Sequence, residues 1–477
     1  MKQLFSRSRI SSRNRFNSTL LSTGLVFSLL LTSQANSDTL EQIYELALEN
    51  DAQLRADRAA YEAGKESYNI GRASLLPSIS GSGSYSKSEG NSEGTRYNTF
   101  TSTAQDFDTD DGTTRTTWGA NLTQPLFNMA AWYGFKQGKI GNESAEATFS
   151  ANQQTFLLRV AEGYFNVLRA IDNLETSLAE EKALSSQLEQ TKQRFEVGLT
   201  AITDVHDSQA AFDSATATTL QSRGQLGIAF EALEVLTGQP AMSVAPIAEN
   251  FPVTNPTPLD RQEWVNFALE NNYSLKKAKL NADNLELASK VSKSGHLPTL
   301  STTISYSNTD SDTTAGVKLP DSVTDTTSVT LNLNIPIFSG GATTSRSRQA
   351  YQNYIQAKEL YNNAQRNTIQ SARSSHLLVE TSVATVKARQ QAIISSQSAL
   401  EATQAGYEVG TRTLVDLLLS QRSLYQAQRA YYTALYDYIL NTLRLKEAAG
   451  LLGPQDILEL NQHLEVENQV SRAQYER

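Results

Sequence analysis

The chain has 477 residues, no cysteine and a formal net charge of −9 at pH 7. The lack of cysteine excludes a disulfide framework, a thiolate metal site and a cysteine nucleophile. The four histidines, His206, His296, His376 and His463, form no closely spaced pair, which argues against a histidine metal site. We expect no metal, no cofactor and no enzymatic activity, since the sequence also lacks a nucleophile elbow and a phosphate loop.

Residues 1–35 are typical of a secretory signal peptide. A basic segment without acids precedes an apolar stretch from Leu20 to Leu31, and small residues at Ser33 and Ala35 fit cleavage after Ala35. The apolar stretch is too short to span a membrane comfortably, which disfavours a membrane anchor. Cleavage would leave 36 basic and 50 acidic residues, a net charge of −14. This balance argues against nucleic acid as a partner.

The remainder of the chain contains one pattern twice. The motif Phe195–Gly198 recurs as Tyr407–Gly410, 212 residues later, whereas the Leu-Pro dipeptide at Leu76 recurs at Leu297, 221 residues later. The change of offset indicates a loop of extra residues in the first copy. We therefore assign a first structural repeat to 36–239, a proline-rich link to 240–261, a second repeat to 262–450 and a C-terminal segment to 451–477.

Alternating residues predict four β-strands, at about 77–86, 117–126, 298–307 and 328–337. Strands of roughly ten residues can cross a membrane, although a half-buried soluble sheet fits the alternation equally well. The intervening segments, 86–116 and 307–327, are polar, and we expect them to be long surface loops. Four strands cannot close a membrane barrel, so spanning would require an oligomer that shares one barrel.

Two proline-free spans predict helical hairpins at 137–237 and 346–449. Each hairpin would be a helix of roughly 60 residues, a tight turn at a glycine, and a helix of roughly 35 residues. Thr203 and Thr413 are the predicted starts of the two shorter helices. The longer helix would extend roughly 90 Å, which exceeds the diameter of an ordinary domain. Residues 41–70 and 262–291 have helical patterns of about 30 residues that would complete the length of the shorter partner.

The segments Phe195–Val205 and Tyr407–Asp416 resemble the two helical turns of the TolC-like outer-membrane efflux proteins. The resemblance extends from about Asp38 to Leu464. It implies a mainly α fold with a membrane β-barrel: a homotrimer whose protomers each give four strands to a twelve-stranded barrel. A long periplasmic α-helical barrel with a mixed α/β equatorial collar would continue from the strands. The expected location is the outer membrane of a Gram-negative bacterium, extending into the periplasm.

The function implied by the resemblance is a passive channel-tunnel with a periplasmic gate. Such a channel is the exit duct of tripartite efflux pumps and type I secretion systems. Its expected partners are outer-membrane lipid, a periplasmic adaptor (a membrane fusion protein) and an inner-membrane pump of the RND, ABC or MFS type, with drugs or proteins as cargo. The alternative is a soluble periplasmic coiled-coil adaptor or scaffold, which would explain the helices but not four alternating strands.

The same resemblance assigns the gate to the two helical turns. It implies that Thr203 and Asp204 contact Tyr407 and Arg412, and that Asp416 projects into the pore as a ring of three carboxylates. From the residues alone, an aspartate at a helix start is an ordinary capping or first-turn acid. Docking of the adaptor is assigned to the turn residues Gly198, Leu199, Thr200, Gly410 and Thr411.

The sequence departs from the family's pattern at Leu419. The resemblance leads us to expect a second pore aspartate at this position. With one acidic ring rather than two, we expect a weaker cation site at the entrance.

Overall fold

The computed structural model describes residues 39–241, 243–248, 250–315, 317–465 and 470–475. The predicted signal peptide, 1–35, lies outside these residues. Among the helices of the described residues, none is both long enough and apolar enough to cross a membrane.

The first half of the chain contains four helices and two strands. Its elements are α1 (Leu40–Asn50), α2 (Ala52–Ala73), β1 (Ser78–Asn98), β2 (Thr103–Phe127), α3 (Met129–Glu196) and α4 (Ile202–Thr237). Helix α3 has 68 residues and therefore extends about 100 Å. It begins before the predicted 137, because the side chain of Asn128 caps it by accepting a hydrogen bond from the Ala131 N–H at 3.0 Å.

The second half repeats this order. Its elements are β3 (Ser243–Val244), α5 (Arg261–Asn271), α6 (Tyr273–Lys293), β4 (Thr299–Ala315), β5 (Val317–Lys318), β6 (Ser322–Asn334), α7 (Ala342–Glu408), α8 (Leu414–Ala448), α9 (Pro454–Asn461) and β7 (Val470–Ser471). Helix α7 begins before the predicted 346. The fold is thus mainly helical with one large antiparallel sheet, as the sequence predicts.

The predicted continuous helices 41–70 and 262–291 are each broken in two. Asp51 ends α1 and caps α2, where its carboxylate accepts from the Leu54 N–H at 2.6 Å. Asn272 ends α5 and caps α6, where its amide oxygen accepts from the Leu275 N–H at 2.9 Å. Because a short polar side chain can bond the backbone ahead of it, each of these residues starts a new helix.

The predicted surface loops 86–116 and 307–327 are wrong, since most of these residues are strand. Strands β1 and β2 pair from Ser78↔Thr123 to Asn98↔Thr103, so the predicted strands 77–86 and 117–126 are only their lower halves. Strand β4 likewise extends to Ala315, and β6 begins at Ser322. Ladder hydrogen bonds determine these strands, although their polar residues lack an apolar alternation. Strand β6 ends at Asn334, before the predicted 337, and Pro336 has no N–H for the ladder.

The large sheet has the order β1-β2-β4-β6, with the short β5 beside β4. One face carries an apolar row across all four strands, formed by Ile79, Leu122, Ile304 and Val329. On the same face the rings of Trp118 and Tyr306 lie 5.4 Å apart. The opposite face is polar and includes hydroxyls that bond across strands. The outer strands β1 and β6 each have an edge unpaired within the described residues.

The helices follow the order of the strands. In the half of the molecule nearer the strands, α2 packs on α3, α3 on α6 and α6 on α7. In the half nearer the two helical turns, α4 packs on α3, α3 on α8 and α8 on α7. One side of this wall therefore ends in β1, α2 and α4, and the other side ends in β6 and α7. These two sides are the open edges of the molecule.

The hydrophobic core surrounds the middle of α3. Tyr164, Phe165, Phe230 and Ile439 are fully buried there. The hydroxyl of Tyr164 donates to the Ala245 carbonyl at 2.8 Å, so the proline-rich link 240–261 is tied to this core. The C-terminal segment joins it through the pairing of β3 with β7 and through α9. This mixed α/β region forms the collar.

Candidate functional site

The two helical turns that the sequence singles out have the same backbone geometry. Gly198 has a φ of +74° and Gly410 a φ of +79°, and both are left-handed positions that favour glycine. The Leu199 N–H donates to the Arg194 carbonyl, and the Thr411 N–H donates to the Gly406 carbonyl, both at 2.8 Å. This hydrogen bond closes the end of a helix. The repeat of 212 residues thus produces two equivalent turns.

The side chains of the first turn form a local hydrogen bond. Thr200 donates its hydroxyl to the carboxylate of Asp204. The N-cap of α4 is Ala201, which has no side-chain cap, and Thr203 lies inside the helix on its exposed face. The prediction that Thr203 starts this helix is therefore wrong, because the chain enters the helix two residues earlier.

The second turn is capped more completely. Thr413 is the N-cap of α8, as the sequence predicts, and its hydroxyl accepts from the Asp416 N–H at 3.3 Å. The Asp416 carboxylate in turn accepts from the Thr413 N–H at 3.0 Å and from the Thr413 hydroxyl at 2.8 Å. These two hydrogen bonds and the nearby charge of Arg412 lower the pKa of Asp416. The exposed carboxylate therefore stays ionised at neutral pH.

Arg412 lies back against its own turn. The stem of Arg412 lies against Gly406, where an added Cβ would stand 2.7 Å from Cγ of the arginine. Gly406 therefore leaves the space that this conformation needs. The first turn has Arg194 at the position equivalent to Gly406 and Thr200 at the position equivalent to Arg412, each 212 positions earlier. The two turns therefore differ in their side chains although their backbones match.

A contact that the sequence did not reveal connects the two turns. The guanidinium of Arg194 lies 5.0 Å from the centre of the Tyr407 ring. Tyr407 is buried together with Leu414 and Leu417, so its ring is held in place. A cation over an aromatic face is attracted by the ring's quadrupole. The sequence does show an arginine directly before the Phe195–Gly198 motif, but nothing in it indicates which aromatic ring this arginine contacts.

The predicted contacts of Thr203 and Asp204 with Tyr407 and Arg412 are not made within this chain, as far as the described residues go. Asp204 is bonded to Thr200, and Arg412 lies on its own turn. The contacts of Thr203 and Asp204 with Tyr407 and Arg412 therefore stay a prediction, and they would have to form between the turns of two neighbouring copies of the chain.

A cleft of about 490 Å³ lies above the turns, between α4 and α8. Asp207 and Arg422 line it, together with the ion pair of Glu180 and Arg429, whose atoms are 2.8 Å apart. Leu419 also lines it and is exposed. Within the described ranges, no group of three or more histidine, aspartate or glutamate side chains could hold a metal ion.

The sequence matches the family model described as outer membrane efflux protein over residues 43–239 and 264–451. It is 36% identical over 445 residues to the outer membrane protein TolC of Vibrio cholerae, covering 91% of this chain and 96% of the relative. It is 34% identical over 441 residues to the TolC of Escherichia coli, covering 91% and 86%. The alkaline protease secretion protein AprF of Pseudomonas aeruginosa is 30% identical over 433 residues, covering 90% and 88%.

Solved structures show the same fold. The outer membrane protein VceC of Vibrio cholerae superposes with a TM-score of 0.70 at 20% identity, covering 86% of this chain and 96% of that one. The outer membrane channel CmeC of Campylobacter jejuni superposes with a TM-score of 0.70 at 18% identity, covering 90% of both chains.

Proposed function

The chain belongs to the outer membrane efflux protein family, and from this premise we propose that it is the passive exit duct of a tripartite efflux pump or a type I secretion system. It is a channel protein of the Gram-negative outer membrane and extends into the periplasm. Relatives of nearly the same length include proteins named for efflux and for protease secretion. The alternative of a soluble adaptor or scaffold finds no support among them.

The observation that carries the duct is the pair of open edges. In lipid, the unpaired edges of β1 and β6 would leave backbone groups without hydrogen bonds. If the edge of each copy pairs with the opposite edge of the next, the ring closes without any free edge. Two copies would supply eight strands, and a barrel of that size is filled by its own side chains. Three copies supply twelve strands and leave room for a channel, which supports the homotrimer.

The duct is tested with the full chain in its native membrane. We expect a heat-modifiable trimer in the outer-membrane fraction that conducts ions in planar bilayers. Release with the periplasmic contents, or a monomer without conductance, would contradict the proposal.

The periplasmic gate would lie where the second turn of one copy meets the first turn of the next. There Tyr407 and Arg412 would bond Thr203 and Asp204 of the neighbour, through a phenol hydroxyl and a guanidinium. The double variant Tyr407→Phe, Arg412→Ser should loosen the closed entrance and raise bilayer conductance. Unchanged conductance would remove the gate assignment and leave the duct itself intact.

Asp416 would form the carboxylate ring of the entrance. Its lowered pKa supports a charge that persists at neutral pH, and rings of carboxylates attract multivalent cations. The variant Asp416→Ala should abolish inhibition of the channel by trivalent cations. The matched variant Asp207→Ala, in α4 after the first turn, should retain this inhibition. Persistent inhibition in Asp416→Ala would place the acidic ring elsewhere.

The turns would also dock the periplasmic adaptor. Exposed apolar side chains, Val197, Leu199 and Val409, surround the glycines there, and they offer surface to a partner at the end far from the strands. An inner-membrane pump of the RND, ABC or MFS type would act through this adaptor. Cross-linking in cells from positions 198–204 and 410–416 should capture one adaptor. Capture from control positions on α2 alone would contradict the docking site.

A further inference from the structure

Helices α3 and α8 pack against each other within the chain, so the first half of the repeat contacts the second. Three ion pairs cross this contact, with atoms 2.6, 2.7 and 2.8 Å apart: Glu162–Arg444, Arg169–Asp437 and Glu180–Arg429. Phe165 of α3 also lies 6.1 Å from the ring of Tyr436 of α8. The contact therefore combines charge pairs with buried aromatic surface.

Because the chain repeats, α7 has a face equivalent to the α8-contacting face of α3, and α4 has a face equivalent to the α3-contacting face of α8. On α7 and α4 these faces are exposed. From Ala130 onward, each residue of α3 has its equivalent on α7, 212 positions later, and each residue of α8 has its equivalent on α4, 212 positions earlier. Phe165 is 1% exposed, but its equivalent Leu377 is 54% exposed. Leu440 of α8 is 3% exposed, whereas its equivalent Ile228 is 71% exposed. These faces of α7 and α4 lie on the two open edges of the molecule.

The open face of α7 contains a group of arginines, which we call the arginine groove. Arg366 and Arg373 of α7 and Arg261 of α5 line a cleft of about 500 Å³ whose apolar surface includes Ile369 and Leu377. Within the described part of the chain, no carboxylate lies within 4.0 Å of these three guanidinium groups. The groove thus presents positive charge around apolar surface, and no described residue of its own chain neutralises this charge.

The first repeat indicates what should lie against this groove. Gln154, the equivalent of Arg366, donates to the Leu452 carbonyl at 2.9 Å. The equivalent of Leu452 is Pro240, at the C-terminal end of α4. That end carries the negative pole of the helix. Its last turn contains Glu234 and no basic residue, so nothing on the helix itself offsets this negative charge.

We propose that the arginine groove of one copy binds the acidic C-terminal end of α4 of a second copy. This proposal rests on the proposed function, because it takes the ring of copies as given and specifies how two copies hold each other. The α7–α4 contact would reuse the surface of the α3–α8 contact. At the positions of the three internal ion pairs it has uncharged residues instead: Ser374 and Ala232, Thr381 and Gln225, Ala392 and Ala217. The arginine groove therefore supplies the charge complementarity that these positions lack.

The first experiment places one cysteine on each face of the full chain. The pair Ser374→Cys, Ala232→Cys is equivalent to the internal pair Glu162–Arg444, and the natural chain has no cysteine to interfere. A bifunctional thiol-specific cross-linker that spans the length of a Glu–Arg ion pair should give covalent dimers and trimers of this variant in the outer membrane. The matched pair Glu162→Cys, Arg444→Cys should react within one copy and leave the mass unchanged. If only the single-copy band appears for both pairs, α7 does not face α4 and the proposal is overturned.

The second experiment reverses the charge of the groove. Arg366→Glu with Arg373→Glu should lower the trimer-to-monomer ratio in detergent by about tenfold or more, because acidic groups would then face the negative pole at the C-terminal end of α4. Adding Glu234→Arg should restore much of the ratio. The matched variant Lys387→Glu with Arg389→Glu, on α7 outside the groove, should leave the ratio unchanged.

The outcomes separate this proposal from the proposed function. If the natural chain is a trimer and the groove variant keeps its ratio, the groove has no role between copies but the duct stands. If the groove variant loses trimer and Glu234→Arg restores nothing, the groove has another occupant and the proposal fails. If the natural chain is monomeric in its membrane, the proposed function fails first.

Discussion

The contact between the two halves of the chain differs between the middle of the helices and the turns. In the middle, three ion pairs cross from α3 to α8, and the hydroxyl of Tyr436 donates to the partly buried carboxylate of Asp172. At the turns, the connection that the structure adds is Arg194 on the ring of Tyr407. A single guanidinium on a ring is a weaker link than several charged hydrogen bonds.

This difference indicates where the molecule can open. Helices held by ion pairs and a buried core stay together, whereas the ends of long hairpins with few contacts separate at low cost. The turns are therefore the part of the wall that can move without loss of the fold. The predictions below test this contrast, beginning with the largest expected effect.

Arg194→Ala should loosen the entrance more than any single change in the middle of the helices. Each cation–π contact is worth about 1 kcal/mol, so loss in three copies would favour opening on the order of a hundredfold. Planar-bilayer recordings would measure this as higher open probability. Arg194→Lys is the matched control, because it keeps a cation that can lie over the ring of Tyr407 and leaves the hydroxyl of Tyr407 in place. Equal recordings for natural and Arg194→Ala channels would show that this contact does not hold the turns.

Asp172→Asn should change the pH dependence of stability in the middle of the helices. Burial raises the pKa of Asp172 to about 7, although the hydrogen bond from Tyr436 lowers this pKa in part. Because the folded pKa lies above the ordinary value, the carboxyl favours folding when protonated, and this contribution is lost as the pH rises through about 7. The variant should therefore gain on the order of 1 kcal/mol relative to the natural chain at pH 8 but not at pH 4. Thermal unfolding at both pH values measures the change, and a gain that is equal at both would contradict the assignment.

Gly198→Ala and Gly410→Ala should destabilise the two turns equally. An added Cβ would have nothing within 4 Å at either position, so the cost is only that of a left-handed residue, about 1 kcal/mol for each. Chemical denaturation of each variant would measure it. A cost at Gly410 much larger than at Gly198 would mean that the turns are not equivalent in the assembled protein.

Removing the ion pair Arg169–Asp437 should have the smallest effect. The side chains are 25% and 51% exposed, and pairs of this kind contribute about 0.2–1 kcal/mol. A double-mutant cycle with Arg169→Ala and Asp437→Ala would measure the coupling energy. Bilayer conductance should stay unchanged in all three variants, and a rise equal to that of Arg194→Ala would remove the contrast between the middle and the turns.

Much of this arrangement follows from local sequence. The two turns were predictable because Gly198 and Gly410 are followed by helix starts and lie inside long proline-free spans. The two copies were predictable because several motifs recur in the same order, with one offset before the extra residues of the first copy and a second offset near the turns. Thr413 was a predictable cap, since a threonine three residues before an aspartate bonds the first turn of a helix.

Other features depend on residues far apart in the chain. The upper halves of β1 and β2 are polar on both faces, so no periodicity marks them, and only their mutual pairing makes them strands. The helix breaks at Asp51 and Asn272 arise from single side chains that look like ordinary helix residues in the pattern. Arg194 meets Tyr407 across 213 positions, a separation that no local signal spans.

By itself, the sequence determined the repeat, the long helices, the turns and the resemblance to a family, because each depends on neighbours along the chain. Only the tertiary structure decided the length of the strands, the order of the wall and which faces of α3, α4, α7 and α8 are covered or open. Those properties depend on which distant segments pair. For that reason two nearly equivalent repeats can bury Phe165 in one half and leave Leu377 open in the other.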